Sequence, residues 1–284
     1  MNETPLIVIS RFNLAYHTEL YLDPEWLAVR LGLLEHYTAP ALAAQTDGDF
    51  VWLMLVSPDT PEAVLARIAK LAAAVPQLRV APVKRNLSQK KLITSLFPDA
   101  GFIISARLDT DDAVSPDYIA AIRRHLTGDR FAFVNFDNGL MLDREFGCVY
   151  RRRYYSNPFI AVCEPVKKMI GIYGYSHCFI HFCGPVVHVS GGPYWLQVVH
   201  GGNWMNRVHG VAESPEVLRR RFRHLADDSM RVPPPLGFRA VLRYRYELLK
   251  MRIWTMVGTL CRRVRGVENG KYHAYLVNSG KMRA

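Results

Sequence analysis

Apolar and polar positions follow two different periods along the first half of the chain. Four short apolar runs are typical of buried strands: Leu6–Ser10, Phe50–Val56, Leu78–Val83 and Phe102–Ala106. Between them, apolar residues recur at helical spacing, which predicts helices at Glu25–Tyr37, Glu62–Ala74 and Ser88–Phe97. Strands that alternate with helices predict an α/β fold with a mainly parallel sheet flanked by helices.

The second half of the chain has a different pattern. Beyond Phe131 the helical periodicity gives way to short strands and loops as far as about Val211. Three successive prolines, Pro233–Pro235, cannot continue a helix and mark a linker, after which Arg239–Cys261 is predicted to be a basic helix. We therefore divide the chain into a body at 1–215 and a basic helical extension at 216–284.

Charge separates these two parts. The net charge is +11, and residues 216–284 hold all of it, with 16 Lys and Arg against 5 Asp and Glu. A neutral body with a basic tail indicates an anionic partner, either a phospholipid surface or nucleic acid.

An apolar stripe in the tail narrows that choice. At helical spacing the stripe consists of Leu242, Tyr246, Leu249, Ile253, Met256, Val257 and Leu260, with basic residues on both sides. This pattern favours a membrane surface, contacted through 239–261, over nucleic acid. The basic residues accompany an apolar stripe and not loops whose side chains could stack on bases. A helix packed on the body is the alternative.

Cysteine usage bears on the compartment. The five cysteines are odd in number and form no C-x-x-C pair, which fits a reducing cytosol better than a disulfide scaffold. No signal-peptide pattern precedes the first apolar run. We expect a cytoplasmic protein, peripheral on the inner face of the membrane.

The strongest chemical signal follows the fourth predicted strand. Asp109, Asp111 and Asp112 come directly after it, and a helix is expected from Pro116. Ligands of open α/β sheets bind outside the carboxyl ends of the strands. Three carboxylates within four residues repel one another unless a cation or solvent neutralises them, and Mg²⁺ or Mn²⁺ bridging to substrate phosphates is a suitable solution. A solvated acidic turn is the alternative.

Two motifs in this order resemble those of GT-A glycosyltransferases. Gln45-Thr-Asp-Gly-Asp-Phe50 leads into the second strand, and Leu108-Asp-Thr-Asp-Asp112 is followed by Pro116 and Tyr118. More narrowly, four segments resemble the bacterial family called putative rhamnosyltransferases: Ser10–Asn13, Arg107–Ala113, Asn157–Phe159 with Glu164, and Trp195–Asn203.

The resemblance implies an activity and a set of site residues. It implies a GT-A-like catalytic domain over 1–215 that moves a sugar, rhamnose by the family name, from a nucleoside diphosphate sugar to a glycan or lipid-linked acceptor. It further implies inverting, metal-dependent transfer, nucleotide contacts at Arg11, Asp59, Arg107 and Asp109, and metal ligands at Asp109 and Asp111. Many GT-A enzymes carry paired aspartates after the second strand. Here Asp59 stands alone and displaced, so the nucleobase is undecided.

Two further roles follow from the resemblance. A late histidine can complete a metal shell, and His200 beside Gly201 and Gly202 is the candidate. A carboxylate base is also needed, for which Asp137, Asp143, Glu145 and Glu164 are candidates. Glu164 is favoured because it ends a buried apolar run, where desolvation raises a carboxyl pKa. The alternative is a structural acid paired with one of Arg151–Arg153.

Two other functions are open. A sugar-nucleotide pyrophosphorylase shares the fold class but needs a glycine-rich phosphate loop after the first strand, and Ser10–Leu14 contains no glycine. A catalytically silent, membrane-associated binding module would retain the body without the activity, although the intact aspartate cluster disfavours it.

Overall fold

The computed structural model describes residues 4–15, 18–84, 89–201, 208–225, 230–231, 233–234 and 237–264. The strands within these ranges are β1 (Leu6–Arg11), β2 (Val51–Val56), β3 (Leu78–Pro82), β4 (Phe102–Arg107), β5 (Ala113–Val114), β6 (Ala132–Phe136), β7 (Asn138–Asp143), β8 (Cys148–Arg153), β9 (Ala161–Pro165), β10 (Val186–Val189), β11 (Trp195–Val199) and β12 (Val211–Ala212). The α-helices are α1 (Pro24–Leu33), α2 (Ala39–Ala43), α3 (Glu62–Lys70), α4 (Gln89–Leu96), α5 (Tyr118–His125), α6 (Ile180–Cys183), α7 (Pro215–Arg221) and α8 (Phe238–Val264).

The larger sheet has the strand order β10-β6-β9-β4-β1-β2-β3. β3, β2, β1 and β4 run parallel, as do β6 and β10, whereas β9 is antiparallel to both β4 and β6. The predicted α/β class with a mainly parallel sheet is confirmed. Because β1 and β4 are adjacent and parallel, the loops after them emerge at the same edge of the sheet.

Both faces of this sheet are covered, which explains why its central strands are apolar throughout. Along β1, Leu6 and Val8 belong to one hydrophobic core and Ile7 and Ile9 to the other. All four side chains are at most 1% exposed. Continuous apolar runs are expected of parallel strands buried on both sides.

The smaller sheet has the order β12-β8-β7-β11-β5 and holds β11 beside the aspartate loop. Trp195 fixes this strand: its indole N–H donates to the carbonyl of Phe136 at 2.7 Å, and its ring stacks on Phe159. A Cβ atom at Gly139, on the neighbouring strand, would lie 2.0 Å from the Trp195 ring, so only glycine allows this approach.

The helix predicted at Glu25–Tyr37 is present but extends further. Asp23 caps α1 by accepting from the amide of Trp26 at 2.8 Å. The chain then continues through a π-helical turn, Leu34–Thr38, into α2. The buried hydroxyl of Thr38 donates to the carbonyl oxygen of Asp112 at 2.8 Å, so this helical unit supports the aspartate loop.

The predicted division at 215/216 falls inside α7. Leu218, Phe222 and Leu225 are at most 3% exposed and belong to the larger core. These residues of the predicted extension therefore pack with the body. Of the predicted proline linker, Pro235 lies outside the described residues.

The predicted tail helix corresponds to α8. One side of α8 packs on α6: a Cβ atom at Gly258 would lie 2.9 Å from His181 and Phe182. The seven residues of the predicted apolar stripe are between 41% and 71% exposed. Among the described residues, no helix has both the length and the apolar character needed to cross a membrane.

Candidate functional site

The aspartate loop, residues 109–112, follows β4 at the carboxyl edge of the parallel strands. The amide of Leu108 donates to Ile9 of β1, and the amide of Asp112 donates to the carbonyl of Asp109, closing a tight turn. The loop therefore lies beside the end of β1, as expected for the ligand-binding edge of an open α/β sheet.

Asp109 is surrounded by cations. Its carboxylate accepts from the guanidinium of Arg107 at 2.7 Å and from the hydroxyl of Tyr173 at 3.3 Å. The Arg11 guanidinium stacks over the Tyr173 ring at 3.9 Å. Burial acts to raise the pKa of Asp109, but Arg107, Arg11 and Arg30 hold it well below its usual value. Asp109 is thus an anion whose side chain remains 29% exposed.

Asp111 faces a different pair of partners. Its Oδ2 atom lies 2.9 Å from the guanidinium of Arg30 and 3.2 Å from Nε2 of His200. Burial opposes ionisation, but Arg30 and the hydrogen bond from His200 keep the pKa of Asp111 below its usual value. Arg30 also donates to the hydroxyl of Thr110, which orients the guanidinium. Asp111 and His200 are both nearly buried, with side chains 10% and 6% exposed.

Asp112 points to the other side of the loop and has a structural role. Its Oδ1 atom accepts the backbone amide of Val198, on β11, at 2.9 Å. Burial, together with repulsion from Asp111 and Asp109, raises the pKa of Asp112 well above its usual value. This contact joins the loop to the strand that carries His200.

The structure brings together most of the residues predicted for this site. Arg11, Arg107, Asp109, Asp111 and His200 lie at one edge. Asp59 follows β2 at the same edge with an exposed side chain, and its amide donates to the hydroxyl of Ser57. Within the described part of the chain, no group of three or more His, Cys, Asp or Glu side chains is arranged around a common metal position.

The prediction that Glu164 is the base is wrong. Glu164 pairs with Ile103 at the start of β4, about 20 Å along the strand from Asp109. Its carboxylate accepts the amides of Ile170 and Gly171, both at 3.0 Å, and the hydroxyl of Tyr175 at 2.8 Å. Burial raises its pKa against these three hydrogen bonds. The alternative pairing with Arg151–Arg153 is also wrong, because backbone and tyrosine donors satisfy the carboxylate.

Two residues of the site were not predicted from the sequence. Arg30 reaches Asp111 from α1, and Tyr173 reaches Asp109 from a short turn, 172–174. Arg30 is separated from Asp111 by 81 positions and Tyr173 from Asp109 by 64. No local motif marks either residue, so only the fold reveals them.

A second polar network lies under α8. His188 Nδ1 is 2.7 Å from Oδ1 of Asp137, and the Nε2 atoms of His188 and His181 are 3.0 Å apart. Nδ1 of His181 lies 3.3 Å from the hydroxyl of Ser156. Both ring nitrogens of His181 therefore have polar neighbours.

Comparison with known proteins identifies a family. Residues 12–212 match the model of the family described as "Putative rhamnosyl transferase". No curated protein matches the chain at a significant level.

Several solved structures resemble the chain at low identity. Residues 1–349 of TarS from S. aureus in complex with UDP-GlcNAc share 11% identity with a TM-score of 0.44, over 76% of this chain and 65% of that one. The uncomplexed form of the same TarS fragment has 10% identity and a TM-score of 0.41, over 69% and 60%. The mannosyltransferase PcManGT from Pyrobaculum calidifontis, in complex with GDP-Man and Mn²⁺, has 11% identity and a TM-score of 0.43, over 99% and 80%. The chain thus spans slightly less than two thirds of these TarS fragments.

Proposed function

This chain belongs to the putative rhamnosyl transferase family, and we propose that it transfers a sugar, rhamnose by the family description, from a nucleoside diphosphate sugar to a glycan or lipid-linked acceptor, with a divalent metal. The observation that carries the proposal is the meeting of Asp111 with His200 beside Asp109, Arg107 and Arg11. This edge therefore carries both carboxylates, which can bind a metal, and guanidinium groups, which can bind the phosphates of a metal-bound diphosphate.

The cationic members suit the phosphates of a donor. Arg11 and Arg107 both lie over the ring of Tyr173, at 3.9 and 5.2 Å from its centroid. Guanidinium groups bind phosphate oxygens through charged, paired hydrogen bonds. We propose that Arg11 and Arg107 bind the donor nucleotide. Asp109, beside them, accepts a hydrogen bond from a hydroxyl group of the nucleotide. Asp59, at the same edge, is the proposed contact to the base.

The residues at this edge could bind a divalent cation through a small number of protein ligands. Asp111 Oδ2 and His200 Nε2 are 3.2 Å apart, close to the edge of about 3.0 Å that ligands at about 2.1 Å make around an octahedral ion. Mg²⁺ and similar ions at nucleotide sites are held by one or two protein carboxylates plus substrate phosphates, so three protein ligands are not required. Asp111 and His200 are the proposed holders of Mn²⁺ or Mg²⁺; among the described residues, the predicted ligand Asp109 does not share a common metal position with them. When bound, the ion stabilises negative charge on the departing diphosphate.

Two observations favour transfer over the other functions. The turn after β1 is built on the buried Asn13, whose Oδ1 accepts the amide of Ser57 and the hydroxyl of Thr60. A turn built in this way differs from the glycine-rich phosphate loop that a pyrophosphorylase needs. The family match and the buried, ion-paired Asp111 favour an active transferase over a silent module.

The exposed stripe of α8 supports a membrane position. Tyr246, Leu249, Met256 and Leu260 are 55% to 71% exposed on a helix that also carries basic residues. We propose that α8 lies on the anionic inner face of a membrane, with its apolar stripe in the interface. The full chain should sediment with vesicles that contain phosphatidylglycerol, and Leu249→Glu with Met256→Glu should abolish this. Phe146→Glu, which alters an equally exposed apolar residue at 64%, is the matched control and should bind as the unmodified chain does.

The activity itself is tested with a panel of UDP-, GDP- and dTDP-sugars, dTDP-rhamnose included. Release of the nucleoside diphosphate is measured with Mn²⁺ and with a chelator. One donor should be hydrolysed slowly and only with metal, and Asp111→Asn should lower the rate by about 100-fold. Asp129→Asn, which changes an exposed carboxylate, should not. Metal-independent hydrolysis, or equal rates in both variants, would contradict the proposal.

A further inference from the structure

A cavity of about 920 Å³ lies between the smaller sheet and α8. Arg152 and Tyr154 line it from the end of β8, and Arg243, Tyr244, Lys250 and Trp254 line it from α8. Two hydrogen bonds hold the helix over this space: the Tyr244 hydroxyl accepts the amide of Arg153 at 2.9 Å, and the Trp254 indole N–H donates to the carbonyl of Cys178 at 2.9 Å. The cavity is therefore formed by fixed elements on both sides.

Arg152 brings a charge into this cavity without a counterion. Its guanidinium donates to the amide oxygen of Gln197 at 3.0 Å and contacts the sulfur of Met141 at 3.6 Å, and both partners are neutral. It also lies 4.1 Å over the ring of Tyr154. Within the described ranges, neither Arg152 nor Arg243 forms an ion pair. Arg152 is half-buried, and its partial loss of hydration is offset when an anion joins it, which favours an anionic ligand in this cavity.

The remaining charges point the same way. Lys250 pairs with Glu247 at 3.4 Å, which cancels the acidic residue of the lining. Arg152, Arg153 and Arg243 are then left as cations, and Arg153 is only weakly engaged, at 3.9 Å from Asp137. Several guanidinium groups lining one cavity suit a phosphate ligand, because each can form charged hydrogen bonds with its oxygens.

The cavity is adjacent to the aspartate site. Gln197, which accepts from Arg152, lies on β11 next to Val198, whose amide binds Asp112, and three residues before His200. His177 lies between the two sites: its ring contacts that of Tyr154 at 6.3 Å, and burial, then the charges of Arg107 and Arg152, lower its pKa to about 4. β11 and the residue after it thus connect the cavity, at Gln197, to the aspartate site, at His200, over about 10 Å of chain.

Resting on the proposed function, we infer that this cavity is the acceptor site and that it takes an acceptor carrying a phosphate group, bound by Arg152 together with Arg243. The aromatic and apolar lining, Tyr154, Tyr244 and Trp254, contacts the part of the acceptor beside the phosphate. A phosphate on a membrane lipid and a phosphate on a soluble glycan share this chemistry. The cavity lies under the helix whose outer stripe is exposed, which suits the lipid source.

Binding of three probes to the full chain tests the inference: farnesyl phosphate, farnesol and hexose 1-phosphate, each measured with a chelator so that the metal site does not contribute. Farnesyl phosphate should bind and farnesol should not. Hexose 1-phosphate binding would show that the phosphate suffices and that the acceptor can be soluble. Equal binding of farnesol and farnesyl phosphate, or binding of none, would overturn the inference.

Two variants and one matched control identify the binding residues. Arg152→Gln and Arg243→Gln should each weaken binding of the phosphate probe by about 10-fold. Arg151→Gln alters the neighbouring, 58% exposed arginine that pairs with Glu213, and it should bind within 2-fold of the unmodified chain. Because Arg243 is exposed on α8, its variant does not depend on the folding of the body. Equal effects in all three variants would overturn the inference.

Nucleotide binding separates this inference from the proposed function. Arg152→Gln should retain metal-dependent nucleotide binding. If the unmodified chain binds no nucleotide, the proposed function fails. If it binds nucleotide but no phosphate probe, the acceptor inference alone fails.

Discussion

Nε2 of His200 lies 3.2 Å from Oδ2 of Asp111, although 89 positions separate the two residues. The contact joins the loop after β4 in the larger sheet to the end of β11 in the smaller one. Asp112 makes the same connection through the amide of Val198. The two sheets therefore meet at the proposed metal site, and the geometry of that site depends on both.

Replacing His200 with Gln should weaken metal binding. If His200 is a ligand, its loss removes a nitrogen donor from a site with few protein ligands, and Mn²⁺ affinity should fall by about 10- to 100-fold. Free Mn²⁺ measured by electron paramagnetic resonance reports this without any turnover. His36→Gln, at an exposed histidine on the π-helical turn, is the control. Unchanged affinity in His200→Gln would remove this residue from the ligand set.

If Asp111 binds the proposed metal, Arg30 competes with the ion for this carboxylate, and replacing Arg30 should make stability depend on Mn²⁺. The Arg30 and Asp111 side chains are only 15% and 10% exposed, and loss of the cation should lower the free energy of unfolding by about 2–4 kcal/mol. Saturating Mn²⁺ should restore most of it in Arg30→Met, because the ion replaces the lost charge.

Urea unfolding of Arg30→Met with and without Mn²⁺ measures this effect. The control is Arg67→Met, which breaks an exposed pair with Glu35 and should cost at most about 1 kcal/mol in either condition. A destabilisation that Mn²⁺ leaves untouched would contradict competition at Asp111.

Glu164→Gln should affect folding and leave catalysis intact. In Gln an amide nitrogen replaces one carboxylate oxygen and cannot accept a hydrogen bond. With the remaining oxygen facing Ile170 and Tyr175, the hydrogen bond that Gly171 donates is lost, so the free energy of unfolding should fall by about 1–3 kcal/mol. The rate per folded molecule should stay within about 3-fold of the unmodified chain, whereas loss of a general base costs about 100-fold or more. Turnover corrected for the folded fraction distinguishes a structural role of Glu164 from the role of general base.

The error on Glu164 shows what an apolar run cannot reveal. The sequence correctly predicts a buried strand that ends in an acid, but not its direction in the sheet. β9 runs antiparallel to β4, so its carboxyl end lies at the amino end of the parallel strands, away from Asp109. Only a strand parallel to β4 would place Glu164 at the edge that carries Asp109.

The aspartate loop was predictable because its signal is local. Three acids within four residues after an apolar run mark the edge of a sheet, whatever surrounds them. The partners Arg30 and Tyr173 were not predictable, since they arrive from distant elements and resemble ordinary helix and loop residues. Packing of the body continues beyond the predicted boundary at 215, through Leu225, because buried contacts leave no local mark in the sequence.

His181 should make stability fall as the pH is lowered. Burial, repulsion from His188 and the nearby Arg262 lower its pKa from 6.5 to about 3, against the attraction of Asp137. Between these values the unfolded chain binds a proton that the folded chain does not. Stability should therefore rise with pH from about 3 to 6.5, by up to about 1.4 kcal/mol per unit from this residue.

The change in the free energy of unfolding between pH 5 and 6, measured by urea unfolding, tests whether His181 causes this pH dependence. It should decrease by about that amount in His181→Asn, which keeps a polar side chain beside Ser156 and His188. His36→Asn, at the exposed histidine on the π-helical turn, should leave the slope unchanged. An unaltered slope in His181→Asn would show that His181 titrates normally in the folded chain.

Nucleotide binding by titration calorimetry tests the central claim most directly. UDP, GDP and dTDP are each titrated into the full chain with Mn²⁺, with a chelator, and into Asp111→Asn. The account predicts that one nucleotide binds, that binding requires the metal, and that the variant loses it. Failure of all three nucleotides to bind under any condition, or binding that neither the chelator nor Asp111→Asn weakens, would contradict a metal-dependent glycosyltransferase site at Asp111 and His200.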